Sequence, residues 1–274
     1  MRLKSASCLV KPVCYMPVGF RLGVDITFEP LDNSASDPLA MLLDTSLMPG
    51  KRLDALLCVI DDYAPEYFDL LLALLQNNND AADVRASVGI SLGKLAGNSL
   101  AGVTDTQKQA LLDQLHALQS DETVLLRRYA PLALALTGDE STIPWVVAAL
   151  QDEDLDVFHS AAEALGQYGQ AAIPHLLEIL ATGADDAQCV AAWKLGELGN
   201  DAALEPLMKA VEAGLNQPSA ITPNLTALCV WALGEIGTRT QSVLNVLHRA
   251  ENSTTVEISQ RAKWALKKIA RNWN

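Results

Sequence analysis

Three of the five tryptophans in this 274-residue chain, Trp193, Trp231 and Trp264, follow one another at separations of 38 and 33 residues. Each sits in a similar phrase: Ala-Ala-Trp-Lys-Leu-Gly, Cys-Val-Trp-Ala-Leu-Gly and Ala-Lys-Trp-Ala-Leu-Lys. An indole offers a broad apolar face and one N–H donor, so an ordered row of them could hold a partner peptide or a planar ligand. The polar residues of the same register are His159, Glu163, Gln167, Cys189, Lys194, Glu197 and Glu235, with Arg128 in the slot of His159 and Cys189. They form either a solvated helix face or a recognition surface beside the tryptophans. Covalent chemistry has less support. No Gly-x-Ser-x-Gly elbow, phosphate-binding loop or dinucleotide fingerprint stands in a strand–helix setting, so no catalytic residue and no cofactor are expected. The five cysteines (Cys8, Cys14, Cys58, Cys189, Cys229) are scattered, without a Cys-x-x-Cys pair or a zinc spacing. They imply a reduced, cytoplasmic protein.

The element that would position the tryptophans is a repeat. Ala-Ala-Glu-Ala-Leu-Gly-Gln-Tyr-Gly (161–169) is copied as Ala-Ala-Trp-Lys-Leu-Gly-Glu-Leu-Gly (191–199) and Cys-Val-Trp-Ala-Leu-Gly-Glu-Ile-Gly (229–237). Weaker copies lie at 88–96, 130–138 and 262–270, and a degenerate first copy at 55–63. The aligned leucines are Leu92, Leu134, Leu165, Leu195, Leu233 and Leu266, separated by 42, 31, 30, 38 and 33 residues. A unit of about 30 residues with insertions at 97–106 and 214–224 accounts for this spacing. Each unit reads as two helices. In the second, Val157, Ala161, Ala164, Leu165 and Tyr168 recur three or four apart and share a face. Gly169, Gly199 and Gly237 fall where a helix ends in a left-handed residue. Pro144, Pro174 and Pro206 fall near the starts of first helices, where the missing N–H has no partner to lose. Across the units the tryptophan slot runs Leu57, Ile90, Leu132, Glu163, Trp193, Trp231, Trp264. Two readings follow: the rings fill space between adjacent second helices, or they form an exposed strip.

One helix pair cannot bury its own apolar face, but stacked pairs can, which predicts an all-α, right-handed solenoid. The pattern Ala-Ala-x-Ala-Leu-Gly-x-Leu-Gly, followed by a prolyl or alanyl start and a Leu-rich helix, resembles HEAT-like repeats of the bilin-lyase type over residues 50–274. The resemblance implies an adaptor fold hosting many functions, one of them as a component of a phycobilin lyase or related phycobiliprotein-handling factor. HEAT-like repeats also include an iron hydroxylase built on His-Glu pairs. Here His159 is followed by Ser160, and His116, His175 and His248 are scattered, so no metal site is expected.

Residues 1–40 read differently. Val18, Phe20, Leu22, Val24, Ile26 and Phe28 alternate with polar residues or glycine, which predicts a β-strand over 18–28 in an arm preceding six to seven repeats over 41–274. That strand would shield the first repeat, add to a partner's sheet or pair across a homodimer. The formal net charge is −13. Residues 1–24 carry +4 and 256–274 carry +4, leaving −21 on the body. An acidic body disfavours nucleic acid along its length and favours a basic protein partner, or mimicry of nucleic acid towards such a partner. No run of about 20 apolar residues is present, so no membrane span is expected. The leading expectation is a scaffold that binds a protein on its concave face and edge loops.

Overall fold

The computed structural model describes residues 37–61, 67–98, 102–216 and 222–272. The arm expected over 1–40, with its strand at 18–28, lies outside these residues except for 37–40. There the Asp37 side chain caps a helix at Pro38. All regular elements among the described residues are helical, and they alternate as first and second members of pairs: α1 (Pro38–Leu43) and α2 (Pro49–Asp61), α3 (Tyr67–Gln76) and α4 (Ala82–Gly97), α5 (Asp105–Leu118) and α6 (Val124–Leu136), α7 (Ile143–Ala148) and α8 (Leu155–Gln167), α9 (Ile173–Thr182) and α10 (Asp185–Leu198), α11 (Leu204–Asn216) and α12 (Thr222–Ile236), α13 (Gln241–Glu251) and α14 (Val256–Arg271). No described helix is long and apolar enough to cross a membrane.

Local sequence explains these boundaries. Pro144 and Pro174 occupy the first turns of α7 and α9. Asp154 accepts hydrogen bonds from the backbone N–H groups of Asp156 and Val157 at the start of α8, and Thr104 forms a capping box with Gln107 on α5. Gly169, Gly199 and Gly237 take φ of 57°, 66° and 74°, as the left-handed helix ends require. The insertions are shorter as loops than expected. Helix α4 runs on to Gly97 and α11 to Asn216, while α12 restarts at Thr222. The rest of both insertions, 99–101 and 217–221, lies outside the described residues.

The core is continuous along the stack. Leu92, Leu134, Leu165, Leu195 and Leu233 are fully buried, and Leu266 on the last helix is partly covered. Each such leucine contributes about 1.5–3 kcal/mol from burial. A polar device ties the two helices of a pair. The last carbonyls of a first helix have no partner within it. The fourth residue of the following second helix supplies one. Arg52 Nε donates to Leu42 O at 2.7 Å, Arg85 Nε to Leu75 O at 3.0 Å, Gln188 Nε2 to Leu180 O at 3.0 Å and Ser259 Oγ to Glu251 O at 2.8 Å. In α6 the same position is Arg127, which donates to Asp121 O at 3.1 Å. In α8 it is Phe158 and in α12 Leu225, which have no such donor.

Two of these arginines also bridge to the next pair. Arg127 grips Asp152 through Nε at 2.8 Å and Nη2 at 3.2 Å. Arg52 and Asp80 form a two-point pair in which both side chains are almost wholly buried. The Arg52 guanidinium beside Asp80 holds its carboxyl below the ordinary value of 3.8. A carboxylate stabilised in this way contributes stability above its ordinary value and loses it as pH falls through the lower folded-state value. Asp80→Ala leaves Arg52 buried and uncompensated, and is expected to lower unfolding stability by about 3–5 kcal/mol at pH 7. Urea titrations should show the gap between parent and variant narrowing as pH falls below about 4, where Asp80 of the unfolded chain begins to take up a proton, and closing once pH passes the lower folded-state value. A gap independent of pH would exclude the ion pair as its source.

Candidate functional site: the row of second helices

Consecutive second helices form a continuous row, and its spacing depends on two slots. The first lies three residues after the tryptophan slot: Ile60, Gly93, Ala135, Gly166, Gly196, Gly234 and Lys267. The second lies one residue after it on the next helix: Ser91, Ala133, Ala164, Lys194, Ala232 and Ala265. Where glycine or alanine meets alanine, the backbones touch. A Cβ on Gly93 would fall 2.4 Å from Ala133 O, one on Gly196 2.9 Å from Ala232 Cα, and one on Gly234 2.6 Å from Ala265 Cβ. Hence α4 and α6, α6 and α8, α10 and α12, and α12 and α14 pack closely along their length. Helices α2 and α4 touch more sparsely, with Ile60 in the first slot. So do α8 and α10, where Lys194 stands in place of alanine and its Nζ lies 3.2 Å from the point a Cβ on Gly166 would occupy.

The tryptophans lie on this seam. The Trp231 ring reaches within 2.9 Å of the Cβ position of Gly196, and the Trp264 ring within 2.7 Å of that of Gly234. Each ring therefore covers the glycine of the preceding helix. Trp193 and Trp231 remain half-buried, and Trp264 is 39% exposed. Lys194 is itself buried, with Nζ 3.9 Å from the centre of the Trp193 ring, 3.0 Å from Glu197 Oε2 and 3.3 Å from Glu163 Oε2. Lys268 pairs with Glu235 and stands 5.1 Å over the Trp264 ring. Glu163 and Glu197 are thus gathered on one ammonium, and Glu235 on another.

The remaining expected site residues are not gathered with them. Arg128 on α6 reaches Asp156 at 3.7 Å, and its guanidinium lies 5.8 Å from the Tyr129 ring centre. His159 packs edge-on against Phe158 at 5.6 Å. Both sit one turn towards the helix N-termini from the tryptophan slot. Cys189, expected beside the strip, is buried.

Burial pushes the Cys229 thiol up to about 12, so it stays protonated and unreactive at neutral pH. Burial likewise pushes Tyr168 up to about 12, and its hydroxyl shares a 2.6 Å hydrogen bond with Thr142 Oγ1. Among the described residues no three His, Cys, Asp or Glu side chains gather closely enough to hold a metal ion. The two slots that space the row escape a reading of the motif's end, which explains only the final glycine. A mid-helix glycine costs about 1 kcal/mol against alanine, so its recurrence at 93, 196 and 234 is the signal that another backbone arrives there.

Two family models agree with this architecture. Residues 108–188 match the model for HEAT repeats, and residues 187–213 match the PBS lyase HEAT-like repeat. Over those residues the chain carries HEAT-like repeats, the last of the bilin-lyase type. Among solved structures it is similar to YibA of Escherichia coli (18% identity, 87% of this chain and 83% of that one, TM-score 0.49). It is also similar to the CpcE–CpcF complex of phycocyanin lyase from Nostoc sp. PCC7120 (20%, 90% and 92%, 0.44). A third similar structure is human deoxyhypusine hydroxylase (17%, 85% and 95%, 0.39). No curated protein matches the sequence.

The slot geometry makes a differential prediction. Gly234→Ala forces a Cβ into Ala265 and the Trp264 ring and should destabilise by about 1–3 kcal/mol. Gly89→Ala, whose Cβ would meet only Leu75 and Leu115 side chains at 3.4 and 3.5 Å, should be neutral or stabilising by up to roughly 1 kcal/mol. Thermal unfolding of the two variants checks this. Equal midpoints would sink the close-approach reading.

Proposed function

We propose that the chain is a non-enzymatic scaffold that binds another protein along the row of second helices, over Trp193, Trp231 and Trp264. The observation that carries this reading is Trp264. A large aromatic ring remains 39% exposed at the end of an ordered tryptophan row, beside the Glu235–Lys268 pair. Tryptophan is enriched among the residues that dominate binding energy. Exposed Glu163 and Glu197 carry the acidic character of the body to the edge of the strip, which suits a basic partner. His159 and Arg128, one turn away, belong to the outer part of the same surface. A homodimer through the strand expected over 18–28 is a further association within this reading, and the scattered cysteines suit a reducing, cytoplasmic setting.

A second reading rests on one observation, the match of residues 187–213 to the PBS lyase HEAT-like repeat, which includes Trp193. In it the same strip contacts a linear tetrapyrrole or the protein that carries it, as a component of a phycobilin lyase.

Affinity capture from the source organism with the parent chain and with Trp264→Ala tests the first reading. A partner held by the parent and lost at least tenfold by the variant, with the thermal midpoint changed by only a few degrees, is the expected outcome. Equal retention by both chains would contradict it. The second reading predicts a stoichiometric, red-shifted absorbance band when the chain is mixed with a linear tetrapyrrole, and an unchanged spectrum would reject it.

A further inference from the structure

The wider spacing of α8 and α10 leaves an opening elsewhere on the molecule. At the edge formed by the loops within pairs, between the fourth pair (α7, α8) and the fifth (α9, α10), lies a cleft of about 540 Å³. Its apolar wall is made by Val147, Leu150, Leu155, Phe158, Ile179 and Ala187. Three features of the sequence coincide with it. Lys194 replaces the alanine that lets α6, α8, α12 and α14 close on the second helices before them. Phe158 occupies the position where Arg52, Arg85, Arg127, Gln188 and Ser259 bond back to the first helix. Gly183 and Ala184, between α9 and α10, put only small groups at the mouth. Leu155 stands at the rim, 59% exposed, at the first position of α8.

The charge around the mouth is one-sided. Asp152 and Asp186 line it, and Glu153, Asp154, Asp156 and Asp185 are their chain neighbours. Arg127 pairs with Asp152 and Arg128 with Asp156. No ion pair engages Glu153, Asp154, Asp185 or Asp186 among the described residues. First-turn acids satisfy helix N-termini, which accounts for some of them. It does not account for an apolar cavity opening between them, or for an exposed leucine at its rim.

We propose that this cleft is a second docking site, distinct from the tryptophan row, and that it takes a short basic segment of a partner protein. One or two bulky aliphatic or aromatic side chains of that segment enter the cavity. Flanking lysines or arginines meet the acidic rim. The volume lies within the range of ligand sites and exceeds what a single side chain fills. An apolar anchor framed by complementary charge follows the usual division of labour, with the anchor supplying affinity and the charges supplying steering and register.

The test uses the full chain and three fluorescein-labelled hexapeptides followed by polarisation: Lys-Arg-Leu-Phe-Arg-Lys, its counterpart with serines for Leu-Phe, and its counterpart with glutamates for the basic residues. The first should bind at least tenfold more tightly than either of the others, and its affinity should fall as salt rises. Ala184→Trp, which fills the mouth from an exposed position, and Asp186→Lys, which reverses a rim charge, should each weaken it at least tenfold without changing the circular dichroism spectrum. A photoreactive group in place of the peptide's phenylalanine should label residues 147–158 and 179–187. Equal binding of the three peptides, no binding to the full chain, or labelling on the tryptophan row would overturn the proposal. So would a monomer–dimer equilibrium abolished by Ala184→Trp, which would assign the cleft to a second copy.

Discussion

The structure depends on how closely one second helix can approach the next. Two slots set that distance, a glycine or alanine on one helix and an alanine on its successor. Where both are small the backbones meet, and the apolar faces of both helices are removed from water together. One helix pair has no other way to bury that surface, so the spacing decides whether the pairs form one continuous core. The tryptophans belong to the same arrangement. The Trp231 and Trp264 rings lie over Gly196 and Gly234 of the preceding helix, so ring and glycine form a single inter-helix contact.

Departures from this rule are as informative as its fulfilment. Ile60 loosens the first junction of the row, and Lys194 loosens the fourth. Lys194 is the more consequential substitution, because a buried ammonium must keep its counter-charges. It does so by drawing Glu163 and Glu197 onto itself and resting on the Trp193 ring. One residue thereby separates two helices, orders two of the acids expected at the recognition surface, and leaves space at the far edge of the stack. On α14 the first slot is filled by exposed Lys267, so that face of the last described helix presents charge where earlier helices present glycine.

Much of the fold was legible in the residues. The aligned leucines mark the core, the final glycines mark the left-handed helix ends, and Pro144 and Pro174 mark first turns, because each residue type has a local physical reason to be there. What local reasoning could not reach were distances between repeats. The meaning of Gly196 depends on Ala232, and that of Gly166 on Lys194, which lie 36 and 28 residues further along the chain. The Arg52–Asp80 pair was missed for the same reason, being a contact between neighbouring pairs with no echo in the short motif. The tryptophan slot was read either as packing or as an exposed strip. The Trp231 and Trp264 rings pack on the preceding helix and keep part of their surface open, because how much of a ring is covered depends on what the next pair presents. Arg128 and His159 share a slot one turn away, so common register did not bring them to the tryptophans.

The most direct measurement is a pair of crystal structures, of the parent chain and of Lys194→Ala. If slot size sets the spacing, α8 and α10 in the parent stand further apart than α10 and α12. In the variant they should close until the backbone of Gly166 meets the new alanine, with the edge cleft shrinking accordingly. An unchanged gap in the variant, or equal spacing along the whole row of the parent, would contradict the account.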